Sequence, residues 1–169
     1  MIDIKRKLKN FGPLEFLVLI SLFYVIAMLI WTASTRASVL QKANDIKSNH
    51  KMIVEFMNNE INKCSSNDDG LTSWGENCNS LWNSSKIVNY ILDNFKLNNP
   101  YSIEKPLIQT SQDPRIQAEG KAGQSTDKGI IFVSANNFES EAGSEWIIGT
   151  CIKSPCVAAG NNELVSVYR

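Results

Sequence analysis

Phe16 to Trp31 reads FLVLISLFYVIAMLIW, and Ser21 is the only clearly polar residue in it. Counted from Phe11, the segment is about 30 Å long as a helix, roughly the hydrocarbon thickness of a bilayer. The ten residues before it, MIDIKRKLKN, carry Lys5, Arg6, Lys7 and Lys9 against Asp3. A basic start followed by an apolar run is a membrane or targeting signal, and it has to be read before any fold. The basic flank places the N-terminus in the cytoplasm and the bulk of the chain across the membrane. A cleaved secretory signal is the alternative. Its apolar region is shorter, about 7–15 residues, and ends in a small-x-small site; here the longer run ends in WTASTRAS.

Beyond Trp31 the same helix continues. No Gly or Pro occurs between Leu14 and Asp69. Apolar or small residues recur at Ala33, Ala37, Leu40, Ala43, Ile46, His50, Ile53, Met57, Ile61 and Cys64, in steps of three and four that mark one helix stripe. Arg36, Lys42, Asp45, Lys47, Lys51, Glu55 and Asn59 occupy the other face. One helix from about Pro13 to Lys63 is expected, near 75 Å at 1.5 Å per residue. Its first half is apolar all round. Its second half is amphipathic and needs a domain over one face. Pro13 suits the first turn, where a missing N–H costs nothing.

The string FGPLEFLVLISLF resembles the N-terminus of type IV pilins and pseudopilins, whose pattern is a short basic leader followed by a mature start such as FTLIELMVVIAII. Aligned without gaps, Phe11 is the first mature residue and Glu15 the fifth, with residues 1–10 as the leader. The family's leader normally ends in Gly, and this one ends in Asn10. Cleavage after Gly12 would put Pro13 first and Glu15 third; the Asn10–Phe11 junction keeps both the aromatic start and the fifth-position carboxylate. The resemblance implies processing between Asn10 and Phe11 by a prepilin peptidase, with methylation of the new terminus. It implies that Glu15 pairs with the freed amine of Phe11 on a neighbouring subunit. It also implies insertion in a bacterial inner membrane, then polymerisation by a pilus assembly platform into a cell-surface filament. A carboxylate inside a lipid-buried helix costs on the order of 2.5–3.5 kcal/mol at mid-helix and less near an end. The plain alternative is that Glu15 sits at headgroup depth.

Past the helix, Cys64 and Cys78 bracket one loop and Cys151 and Cys156 another. Four cysteines allow three connectivities; outside the membrane disulfides are the natural reading, and nearest-neighbour pairing is the simplest. The spacings lack a flanking His, which disfavours zinc. A C-terminal disulfide loop also resembles the one many pilins carry. Ser80 to Phe95 is expected to be a second helix, with Leu81, Ser85, Val88, Leu92 and Phe95 on one side. Then come short runs, PLIQT at 106–110, GIIFVSA at 129–135, EWIIGTCI at 145–152 and ELVSVYR at 163–169, with turns at Asp127-Lys128-Gly129 and Gly160-Asn161-Asn162. Strands in succession predict an antiparallel meander over the helix stripe. The expected fold is therefore α+β and pilin-like: a transmembrane half-helix over 11–32, and a head over 33–169 in which the amphipathic half-helix packs on a small antiparallel sheet.

Composition narrows the function. Lys+Arg and Asp+Glu are both 17, which gives a dedicated nucleic-acid binder no basic surplus. A single His makes a catalytic triad or an imidazole-rich metal site improbable, and His50 reads as a packed side chain. Asn67, Asp68 and Asp69 are adjacent oxygen donors that suit Ca²⁺ in kind but make no cage. Asn83-Ser84-Ser85 matches a glycosylation acceptor inside an expected helix. Trp74, Trp82 and Trp146 read as core or loop anchors rather than ligand platforms, and Glu139, Glu141 and Glu145 as a loop and strand edge. No phosphate loop or acid–base constellation is found, so neither catalysis, a cofactor nor a small-molecule substrate is expected. The expected role is a pilus-like filament subunit that binds copies of itself and inner-membrane lipid. The rivals are a type II secretion pseudopilin and a single-pass anchored binding or sensor domain.

Overall fold

The computed structural model describes residues 12–66, 70–119, 128–135, 139–140 and 145–169. Its first element is one helix, α1, Pro13–Ser66. Pro13 opens it, and the Phe16 N–H donates to the Gly12 carbonyl in its first turn. The Ser65 and Ser66 hydroxyls fold back onto the last turn and donate to the carbonyls of Ile61 and Asn62. Good helix formers with no breaker explain the length.

The chain divides into two units, one ending at Gln41 and the other Lys42–Arg169. In the first, every residue from 13 to 41 is exposed. Its hydroxyls turn back on the helix: Ser21 donates to the Val18 carbonyl, Thr32 to Leu29, and Ser34 and Thr35 to Trp31. These four donors are satisfied within the helix itself.

In the second unit the stripe of α1 is buried at Ala43, Ile46, His50, Ile53, Met57, Glu60, Ile61 and Cys64. The expected stripe extended back through Ala33, Ala37 and Leu40, but these are exposed. Helical spacing gives the direction of a stripe and not how far the covering layer reaches. The charged flank Asp45, Lys47, Lys51, Glu55 and Asn59 is exposed as expected.

After the Cys64–Cys78 loop come β1, Trp82–Asn83, and α2, Ser84–Asn94. Asn83 caps α2, its side-chain oxygen accepting from the N–H groups of Ser85 and Lys86. The expected helix began at Ser80, four residues too early, and its buried side was misjudged. Ser84, Ile87, Val88 and Ile91 face the core, whereas Leu81, Ser85 and Leu92 are exposed. Starting the helix at a cap three residues later rotates the assignment onto the Ile87–Ile91 side.

A four-stranded sheet comes next: β2, Ile108–Thr110; β3, Ile131–Ala135; β5, Glu145–Cys151; and β6, Asn162–Tyr168. Its order is β2-β3-β5-β6. A short β4, Glu139–Ser140, pairs only with β1. Strands β3, β5 and β6 form the expected antiparallel meander. The expectation of a wholly antiparallel sheet is corrected at β2, which runs parallel to β3 with Ile108 opposite Ile131. A parallel pair needs a crossover of a dozen or more residues. The chain after Thr110 supplies one, including a helix, α3, Pro114–Glu119, that the sequence reading missed. Its signal was present: Asp113 before Pro114 is a cap-then-proline start, and the Asp113 carboxylate accepts from the Arg115 N–H.

The sheet is covered on both faces. Ile131, Val133, Trp146, Ile148 and Val167 join the α1 stripe and Ile87, Val88 and Ile91 of α2 in one core. On the other face, Gly149 of β5 lies against Pro114 and Ala118 of α3 and Leu164 of β6. This double cover explains why Trp146 to Cys151 are buried without alternation.

Candidate functional site

The N-terminal half of α1 is long and apolar enough to cross a membrane, and its apolar window is wholly exposed. Glu15 is its one acidic residue. Pro13 at the first helical position makes Glu15 the third, and its Oε2 accepts the Gly12 N–H at 2.9 Å. This is the acceptor half of a capping box, and a carboxylate in the first turn also favours the helix dipole. Glu15 thus has a partner in its own chain. Asn10, Phe11 and the rest of the leader lie outside the described residues.

Cys64 is bonded to Cys78 and Cys151 to Cys156, with Cα–Cα distances of 5.1 and 5.2 Å. The loop closed by Cys64–Cys78 is tied down by two carboxylates that the sequence did not single out. Glu60, buried on α1, accepts the Ser73 N–H at 2.8 Å and its hydroxyl at 2.5 Å. Glu76 accepts from Trp74 Nε1 at 2.9 Å, from the Asn83 N–H at 3.0 Å, and pairs with Lys86 at 2.9 Å. Burial pushes the Glu76 carboxyl up, but Lys86, Asn83 and Trp74 together hold it below the usual glutamate range. The last residue, Arg169, lies 4.2 Å from the Trp82 ring centre and donates to the carbonyls of Cys78 and Ser80. Asn67, Asp68 and Asp69, the sequence-level Ca²⁺ reading, lie outside the described residues.

Trp82 and Trp146 are fully buried, and Trp74 meets Trp82 edge-on at 4.9 Å between ring centres. These are packing anchors, as read from the sequence. Asn83 spends its side-chain oxygen on the α2 cap, which is a structural use of the glycosylation-like triplet. Glu145 is more than a strand edge: it receives Arg115 Nη2 at 3.0 Å and the Ser166 hydroxyl at 2.5 Å. The Ser166, then Arg115, contacts hold its carboxyl below the usual range. Glu141 lies outside the described residues, as does the side chain of Glu139.

His50 sits on the α1 stripe with Nε2 3.2 Å from the Ile148 carbonyl oxygen of β5 and Nδ1 3.4 Å from Glu163 Oε2 of β6. No sequence signal pairs residues so far apart in the chain. Among the described residues, no three of His, Cys, Asp and Glu stand close enough to hold a metal ion. Comparison with known protein families, with curated proteins and with solved structures finds no match.

Proposed function

We propose that this chain is a structural subunit of a type IV pilus-like filament. It is inserted in a bacterial inner membrane with its N-terminus in the cytoplasm, and it polymerises through its N-terminal helix into a cell-surface fibre. The observation that carries this reading is the division of α1. One unbroken helix, Pro13–Ser66, is exposed over 13–41, apolar as far as Trp31, and then lends its stripe from Ala43 to the core of the head. An exposed apolar surface of that size exceeds what soluble monomers tolerate. A bilayer satisfies it first, and the helices of neighbouring copies satisfy it in a fibre. The Asn10–Phe11 junction is then the substrate of a prepilin peptidase, and an assembly platform moves the subunit from lipid to filament.

Mass spectrometry of the mature N-terminus tests this. A chain that begins at a methylated Phe11 supports it. A chain that begins at Met1, or one cut within WTASTRAS, overturns it. A type II secretion pseudopilin shares these features, and short envelope-bound fibres in place of long surface ones would identify it. A single-pass anchored binding or sensor domain is favoured by one observation: the Glu15 carboxylate already has a partner in the Gly12 N–H. In that reading its task ends with capping the helix.

A further inference from the structure

Lys47, Lys51, Lys63, Lys86 and Arg115 each stand beside a carboxylate of the head. Lys42, Lys128 and Lys153 have no such partner among the described residues, and Tyr101 joins the segments that carry them. Lys42 Nζ of α1 lies over the Tyr101 ring, 5.8 Å from its centre. The Tyr101 hydroxyl donates to the Ile152 carbonyl at 2.6 Å, beside Lys153 on the Cys151–Cys156 loop. The Tyr101 N–H donates to Asn99 Oδ1 at 2.9 Å, and Asn99 Nδ2 donates to the Lys128 carbonyl at 3.5 Å. Gly129, with φ 77°, lets this approach happen: a Cβ there would stand 2.7 Å from both Asn99 and Tyr101. The two loops that Tyr101 ties together carry bare apolar side chains, Ile103 at 97% exposure and Val157 at 72%. Asp45 and Glu104 are the exposed carboxylates on these segments, and Lys105 is a further exposed lysine.

We propose that this face of the head binds the surface of an acidic phospholipid bilayer: Lys42, Lys128 and Lys153 take the headgroups, and Ile103 and Val157 enter the interfacial layer. The inference rests on the membrane-inserted reading of residues 13–31 and not on filament assembly. Lys42 is the first residue of the head and follows Trp31 by eleven residues. Those residues are about 16 Å of helix. The headgroup layer takes up about 5–7 Å of it, and the remainder is about one Debye length at physiological salt. An acidic surface therefore acts on cations at this end of the head. Each lysine near such a surface is worth about fivefold in binding, so the three together are worth roughly a hundredfold. A lysine already beside a carboxylate adds less, because its partner cancels the field. The ammonium is a point charge on a flexible stem, which suits headgroups that have no fixed geometry. Tyr101 is a positioning residue: it holds the two loops together and touches no lipid itself.

The full chain, with methyl-labelled isoleucine and valine, is placed in nanodiscs of phosphatidylcholine alone or of phosphatidylcholine with phosphatidylglycerol, each carrying a headgroup nitroxide lipid. In the acidic discs the Ile103 and Val157 methyl signals should broaden, while those of the buried Ile131 and Ile148 should not. High salt should restore the signals, since it screens exposed charges. The combined variant Lys42→Gln, Lys128→Gln, Lys153→Gln should restore them too, with Ile131 and Ile148 unshifted as the sign of an intact core. Equal broadening in neutral and acidic discs, or broadening that survives both salt and the triple replacement, overturns the proposal. If the triple variant does not fold, the lipid and salt arms on the unaltered chain decide. A chain that fails to enter the discs overturns the insertion reading and this inference with it. A chain that enters them and shows no broadening from phosphatidylglycerol overturns this inference alone.

Discussion

Gly149 of β5 runs so close beneath α3 that a Cβ on it would stand 2.7 Å from the Pro114 carbonyl oxygen. The same Cβ would meet Ala118 Cβ and Leu164 Cδ1 at 3.0 Å. Backbone cannot give way as a flexible side chain can. Gly149→Ala should therefore lift α3 from the sheet and cost about 1–3 kcal/mol, the usual range for overpacking. A lowered urea midpoint at unchanged slope is the expected result.

Glu15 can be tested so that its two roles separate. Glutamine serves in a capping box as glutamate does, so Glu15→Gln keeps the acceptor for the Gly12 N–H and removes the charge. Glu15→Ala removes both. If the carboxylate pairs with a neighbour's terminal amine, both variants should enter the membrane and both should fail to form filaments. If Glu15 only caps its helix, Glu15→Gln should behave as the unaltered chain does. Filament yield, set against membrane-inserted protein, reads the difference.

A chain beginning at Ala37 should be soluble, monomeric and cooperatively folded, because the buried stripe starts at Ala43. The full chain should need detergent. Aggregation of the shortened chain, or loss of its cooperative unfolding, would place residues 13–36 in the core of the head and end the anchor-and-head reading.

Glu76 predicts a pH dependence. Its carboxyl is held below the ordinary glutamate range, so the unfolded chain takes up this proton first as pH falls. The stability it supplies is complete above the ordinary glutamate value and is lost as pH drops through the depressed one. Glu76→Gln should flatten that part of the acid unfolding curve. At neutral pH it should cost about 1.5–3 kcal/mol, the range for hydrogen bonds to a charged group.

The two disulfides should differ in worth. Cys64–Cys78 closes a separation of 14 residues and Cys151–Cys156 one of 5. On the chain-entropy account a loop of the first size is worth about 3 kcal/mol and the smaller one about 1 kcal/mol less. Paired Cys→Ser replacements followed by thermal unfolding should rank them in that order. Peptide mapping without reductant should return these two pairs, and a Cys64–Cys151 peptide would contradict them.

The local features were legible in the sequence because they depend on neighbours in the chain. The absence of Gly and Pro from Leu14 to Asp69 makes α1 continuous. Steps of three and four put Ile46, Ile53, Met57 and Ile61 on one side, and runs of Ile, Val and Trp mark the strands near 131, 146 and 165. Asp113-Pro114 was a readable helix start as well, though a six-residue helix has too little periodicity to stand out.

The rest was decided only when distant segments met. Sequence patterning says that Ile108 is buried, but not that it lies parallel to Ile131; that arrangement comes from a crossover packed on the far face of β5. Glu60, Glu76 and Glu145 look like solvated carboxylates in the linear chain. They become buried or half-buried acceptors because Ser73, Lys86, Arg115 and Ser166 arrive beside them. His50 sits on an apolar stripe, which predicts burial, while its partners Ile148 and Glu163 lie on strands near the other end of the chain. Helical and strand periods are properties of a few consecutive residues, so composition and spacing determine them. Electrostatic partners and sheet order depend on which loops close. That choice is made by the joint burial of α1, α2 and the sheet, and no single segment carries it.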